Sequence, residues 1–98
     1  MEITKQAAGE KLTLTLKGRL DTMTAPELEG VLKENLDGVK ELVFDFTELE
    51  YLSSAGLRVL LGAQKAMSEV GKMAIRNVNE AVMEVFEVTG FTNVFTVE

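Results

Sequence analysis

The 98-residue sequence contains no cysteine, no histidine and no tryptophan, and its one proline is Pro26. Without cysteine there is neither a disulfide nor a thiolate metal site, and nothing marks an oxidising compartment. Without histidine there is no Ser-His-Asp triad and no imidazole ligand, so no metal site is expected. Asp, Glu or Lys can act as bases, so the absence weighs against catalysis without closing the question. No apolar run approaches the roughly 20 residues that cross a bilayer. Met1-Glu2-Ile3-Thr4-Lys5 lacks the apolar core of a secretion signal. The expectation is a cytoplasmic protein with no membrane partner. Basic charge is scarce: ten Lys and Arg face sixteen Asp and Glu, for a net charge of −6. Lys11, Lys17, Arg19, Lys33, Lys40, Arg58 and Lys65 are scattered, and no concentrated basic face could displace counterions from phosphates. Nucleic acid is therefore not an expected partner.

With 46% hydrophobic and 27% charged residues the chain has globular composition, and its length gives one domain over residues 1–98. Ile3 to Gln6 reads as a short strand and Ala8-Gly9-Glu10 as a turn. Lys11 to Lys17 alternates strictly, with Leu12, Leu14 and Leu16 on one face and Thr13 and Thr15 on the other, the period of a half-buried strand. Thr24 with Glu27 three residues on forms a capping box, and Pro26 falls in the first turn of a helix striped by Leu28, Val31, Leu32 and Leu36. Gly38 lies past its end.

Lys40 to Phe46 is the central strand, with Leu42, Phe44 and Phe46 facing one way. The longest helix runs from about Ala55 to Val70, with Leu57, Leu60, Leu61, Gln64, Met67 and Val70 at helical spacing and Gly71 after its end. Lys72 to Arg76 is a strand with Met73 and Ile75 inward. Asn79 caps a third helix that carries Val82, Val85 and Phe86 and stops near Gly90. Phe91 to Val97 gives a turn and a last short strand. Right-handed crossovers put the helices on one side of the sheet. The fold class is α/β: a mixed four- to five-stranded sheet with helices packed on one face and the other face open.

One segment stands apart, Tyr51-Leu52-Ser53-Ser54-Ala55-Gly56-Leu57, between the central strand and the longest helix. Strand ends and the helix starts that follow them are where function collects in open α/β sheets. Either serine could simply cap the helix. Capping does not explain Gly56 in the first turn, since glycine costs up to about 1 kcal/mol against alanine there. A small residue would let a partner or a phosphate approach the backbone, or let the helix pack on the sheet. The segment lacks the first glycine of a Gly-x-Ser-x-Gly nucleophile elbow, and no base of the usual kind is present. A phosphate-binding Gly-x-x-x-x-Gly-Lys-Ser/Thr loop is absent. Asp45, Glu48 and Glu50 lie nearby and read as surface solvation rather than a cation site.

Tyr51 to Leu61, YLSSAGLRVLL, resembles the signature of STAS domains, above all the bacterial anti-sigma factor antagonists. Gly18-Arg19-Leu20-Asp21 is similar to that family's Gly-x-Leu/Ile-Asp turn, and Val88-Thr89-Gly90-Phe91 resembles its C-terminal segment. The resemblance covers nearly the whole chain and implies a STAS-like fold. It also implies a regulator that binds an anti-sigma factor, usually a serine kinase, and so frees a sigma factor. The kinase would phosphorylate Ser54, and a serine phosphatase would reverse this. No catalytic residue and no cofactor belong to such a protein. The partner-binding surface implied is Gly18, Arg19, Leu20 and Asp21 with Ser53, Ser54, Ala55, Gly56, Leu57 and Arg58. Ser53 stands where many members carry Asp, Ala55 where many carry a second Ser, and Arg58 where a small residue is common. Ser53 is the alternative acceptor. The other role the family offers is a STAS scaffold or ligand-sensing module that is never phosphorylated.

Overall fold

Leu12, Leu14 and Leu16 alternate with Thr13 and Thr15, and the computed structural model, which describes residues Met1–Glu98, buries all three leucines almost completely. They belong to β2 (Lys11–Leu20), which pairs antiparallel with β1 (Glu2–Ala8) across the turn at Gly9-Glu10. After α1 (Ala25–Asn35) the chain returns as β3 (Glu41–Leu52), parallel to β2. After α2 (Ser54–Val70) it returns again as β4 (Lys72–Arg76), parallel to β3. The sheet order is β1-β2-β3-β4. α3 (Glu80–Thr89) and a 3-10 turn at Phe91–Asn93 follow. The expected last strand shrinks to one parallel bridge between Ile75 and Val97.

Leu42, Phe44 and Phe46 of β3, Met73 and Ile75 of β4, and the buried residues of all three helices join the β2 leucines in one core. That core lies on one side of the sheet, as the single apolar faces require. Val43 is the one buried hydrophobic side chain outside it. It sits on the open face among Thr13 and Ala74, flanked by the ion pairs Lys11–Glu41 (4.0 Å) and Lys17–Glu48 (3.7 Å).

The structure departs from the expected boundaries in one place that matters. β2 runs on to Leu20 and β3 to Leu52, rather than stopping at Lys17 and Phe46. The register slips between Thr15 and Lys17 and again between Gly18 and Arg19, each time leaving one extra residue on β3. Bulges of this kind bend a strand and re-aim its side chains. As a result Phe46, Leu49 and Leu52 all point into the core although they do not alternate. Smaller corrections follow from packing. Leu61 is only half-buried and Val70, at the last turn of α2, is 49% exposed, because Gly56, Leu57, Leu60, Ala63 and Met67 form the face that meets the sheet. Val31, Leu36 and Val85 likewise sit at the edge of the core.

Candidate functional site

The two bulges carry the ends of β2 and β3 to the same place. Arg19 pairs with Tyr51 and Leu20 with Leu52, and the Ser53 N–H donates to the Leu20 carbonyl at 2.9 Å. Leu20 and Leu52 face the core while Arg19 and Tyr51 face away from it. The Arg19 guanidinium lies 4.2 Å from the centre of the Tyr51 ring, and its Nε is 3.8 Å from Asp21 Oδ2. A cation on an aromatic face at an exposed site contributes about 0.5–1 kcal/mol and holds the guanidinium in place.

The turn that follows is closed by its own side chains. Asp21 Oδ1 accepts the N–H of Met23 at 3.0 Å and of Thr24 at 3.1 Å. The Thr24 hydroxyl accepts the Asp21 N–H at 2.9 Å and donates to the Arg19 carbonyl at 2.7 Å. The expected capping box between Thr24 and Glu27 is not formed: Thr24 has helical backbone angles and its side chain makes no cap bond. Its hydroxyl is engaged one step back along the chain, and Asp21 supplies the turn instead. Desolvation acts to raise the Asp21 carboxyl. The Thr24 and Met23 N–H groups, the Thr24 hydroxyl and the Arg19 charge outweigh it and hold the group below the ordinary carboxylate range.

The serines divide their roles. Ser53 is the N-cap of α2, with extended backbone angles and its Oγ accepting the Gly56 N–H at 3.4 Å. Ser54 is the first helical residue, exposed, and its hydroxyl has no hydrogen-bond partner within the chain. Gly56 is buried, and a Cβ placed on it would lie 2.6 Å from Leu20 Cγ and 2.7 Å from Leu52 Cδ1. The glycine thus lets the first turn of α2 settle onto the sheet, which is the packing reading of that residue.

Of the expected surface residues, Arg19, Asp21, Ser53, Ser54, Ala55 and Arg58 gather at this end with at least part of their surface open to solvent. Leu20, Gly56 and Leu57 are buried and form its floor, so they shape the surface without presenting side chains on it. Gly18 sits opposite Leu49 with φ +106°, where the chain turns toward Arg19. Two further residues stand at this end to which the sequence assigns no role. Tyr51 is 42% exposed under Arg19, and Met23 is 85% exposed at the tip of the Asp21 turn. Tyr51 becomes readable only with the bulged register. Met23 carries no periodic signal.

Asp45 accepts from the Thr47 hydroxyl, the Thr47 N–H and the Asn77 amide, and Glu48 pairs with Lys17. These carboxylates have other partners, and no three acidic residues stand together as a metal-binding group. No helix is long and apolar enough to cross a membrane.

A family model described as "Mlab, STAS domain" matches residues 3–97. BtrV of Bordetella bronchiseptica, provisionally named an anti-sigma factor antagonist, is 35% identical over 99% of this chain and 85% of its own length. The anti-sigma-B factor antagonist of Staphylococcus aureus is 33% identical over 82% of this chain and 76% of its own. Among solved structures, the anti-sigma factor antagonist SpoIIAA in its unphosphorylated form matches with a TM-score of 0.86 at 19% identity, over 99% of this chain and 88% of that one. The phosphorylated form of Bacillus SpoIIAA matches with a TM-score of 0.78 at 18% identity, over 99% and 91%. At such identities the likeness to solved structures speaks for the fold.

Proposed function

This chain belongs to the STAS domain family, among the anti-sigma factor antagonists, and we propose that it works by reversible, phosphorylation-controlled binding of an anti-sigma factor. In its unmodified form it docks on a serine-kinase anti-sigma factor in the cytoplasm and so releases a sigma factor. Phosphorylation of Ser54 ends the binding. The chain has no turnover of its own; it is the substrate of the kinase and of a serine phosphatase.

The observation that carries this reading is the division between the serines: Ser53 takes the cap, so Ser54 is exposed with an uncommitted hydroxyl. In the kinase step the Ser54 oxygen attacks the γ-phosphorus of ATP. The bond from that phosphorus to the β,γ-bridging oxygen breaks, ADP leaves, and the hydroxyl proton passes to a base on the kinase. The phosphatase uses water to cleave the ester, returning Ser54 and inorganic phosphate.

A phosphate on Ser54 stands beside the first-turn N–H groups of α2, which favour an anion. It adds about −1.5 to −2 charge to a surface framed by Arg19, Asp21 and Arg58, so the fold persists while docking changes. Arg19 and Tyr51, held against each other, belong to the residue types that dominate binding energy in interfaces.

The test is to incubate the purified chain with the anti-sigma factor kinase of the same genome and ATP, then map the site by fragmentation. Phosphate on Ser54 is expected. Phosphate on Ser53 places the motif one residue out of register, and none at all favours the scaffold or ligand-sensing role.

A further inference from the structure

α1 and α2 both follow strands of a parallel pair, so they run side by side in the same direction, and the seam between them begins next to Ser54. Two depressions lie along it. One, of ≈ 190 Å³, is lined by the first turns of the two helices, including Ala25, Ala55, Arg58 and Val59. The other, of ≈ 280 Å³, is lined by Leu32, Leu36, Gly62 and Ala66 further on. On each helix the lining positions follow one another turn by turn (Ala25, Glu29, Leu32, Leu36; Ala55, Val59, Gly62, Ala66), so the depressions form one groove, and on its α1 bank Glu29 is paired with Lys33 at 3.8 Å. It extends for about 16 Å at 1.5 Å per residue.

Gly62 is the unexpected residue in it. Glycine is among the least favourable residues in a helix interior, and a Cβ at Gly62 would meet nothing within 4 Å. Its missing side chain serves no contact inside the molecule; it keeps the groove open. The charge on the α2 bank of the groove is also out of character. From Ser54 to Ser68, α2 carries Arg58 and Lys65 and no acidic residue, in a chain of net charge −6. Arg58 and Lys65 are two turns apart on one line, with Gly62 between them.

We infer that the α1/α2 groove receives an amphipathic helix of the anti-sigma factor, one with an apolar side chain at every turn and acidic residues along its border. This rests on the partner-binding reading of Ser54 and extends it. The apolar stripe enters at Val59, Gly62 and Ala66, and the acidic border meets Arg58 and Lys65. A phosphate at the head of the groove then repels the same acidic segment that the two cations attract, which gives the switch a physical basis at longer reach than Ser54 itself.

The matched control is Gly30 of α1. It too is an interior helix glycine with open space at its Cβ position, but it lies on the β1 side of α1, away from the groove. Wild type, Gly62→Leu, Gly30→Leu and Lys65→Glu are titrated by calorimetry with the purified anti-sigma factor of the same genome, after thermal melts establish that each variant is folded. Gly62→Leu is expected to bind at least roughly tenfold more weakly, the loss typical of a blocked interface centre, while Gly30→Leu stays close to wild type. Lys65→Glu is expected to bind more weakly too, and it carries the test if Gly62→Leu does not fold, being an exposed substitution. Wild-type affinity in Gly62→Leu, or in Lys65→Glu, overturns the groove assignment and leaves the partner-binding reading standing. A wild-type chain that binds no anti-sigma factor overturns both.

Discussion

The side chain of Ser53 reaches forward to accept the N–H of Gly56 at 3.4 Å, closing the first turn of α2 from outside the helix. The contact is long, so its contribution lies at the low end for caps. Ser53→Ala is expected to lower stability by about 0.5–1 kcal/mol. Ser54→Ala, which removes a hydroxyl with no partner in the chain, is expected to stay within about 0.5 kcal/mol of wild type. Urea unfolding measures both, and the reverse order would mean that the cap belongs to Ser54.

Gly56 owes its place to Leu20 and Leu52. Gly56→Ala gains about 1 kcal/mol of helix propensity but puts a methyl group 2.6 Å from Leu20 Cγ. Overpacking against a buried floor costs about 1–3 kcal/mol, so net destabilisation is expected. Gly30→Ala, with open space at its Cβ position, is expected to stabilise by about 0.5–1 kcal/mol. A pair of thermal melts moving in the same direction would contradict the packing role of Gly56.

The core predicts large losses at its centre. Leu14 and Phe44 are fully buried on neighbouring strands and directly paired in register. Leu14→Ala and Phe44→Ala are each expected to cost about 2–5 kcal/mol. Denaturant midpoints close to wild type for either would be incompatible with the register.

Asp45 ties β3 to the end of β4. The Thr47 hydroxyl and the Asn77 amide hold its carboxyl below the ordinary value of 3.8; desolvation opposes them, and the Thr47 N–H and the Arg76 charge add to the lowering. A carboxyl depressed in the folded state contributes stability above the unfolded-state value, and loses it as pH falls through the folded-state one. Asp45→Ala is expected to cost about 0.5–1.5 kcal/mol near neutral pH, because its hydrogen bonds to Thr47 and Asn77 are open to solvent, which weakens them. The gap between wild type and variant should narrow on acidification below about pH 4. A gap that stays constant from neutral to acid pH would remove the carboxylate from that account.

Much of this was legible in the sequence for a simple reason: strict alternation in Leu12, Leu14 and Leu16, and in Leu42, Phe44 and Phe46, leaves one register for a half-buried sheet. The Asn79 cap was readable too, and its Oδ1 accepts the Val82 N–H at 2.8 Å. What failed had physical causes. Phe46, Leu49 and Leu52 point the same way only because two bulges intervene, and no local pattern encodes a bulge that depends on the neighbouring strand. Spacing pairs Thr24 with Glu27, but Asp21 competes for the same turn and wins with two N–H bonds. At the candidate site the serine motif marks the junction of β3 and α2, where the structure brings Arg19, Asp21 and Ser54 to one end of the sheet. Which serine caps the helix, and the stacking of Arg19 on Tyr51, needed three dimensions.

The central claim is that charge on Ser54 governs docking, and the affinity of the Ser54-phosphorylated chain for its anti-sigma factor, measured beside the unmodified chain, tests it most directly. The two forms are to be compared by calorimetry at one ionic strength, with the nucleotide state of the anti-sigma factor held fixed. At least roughly a hundredfold weaker binding is expected for the phosphorylated form, matching a like-charge or unpaired-charge penalty of several kcal/mol at an interface. Equal affinities for the two forms would contradict it.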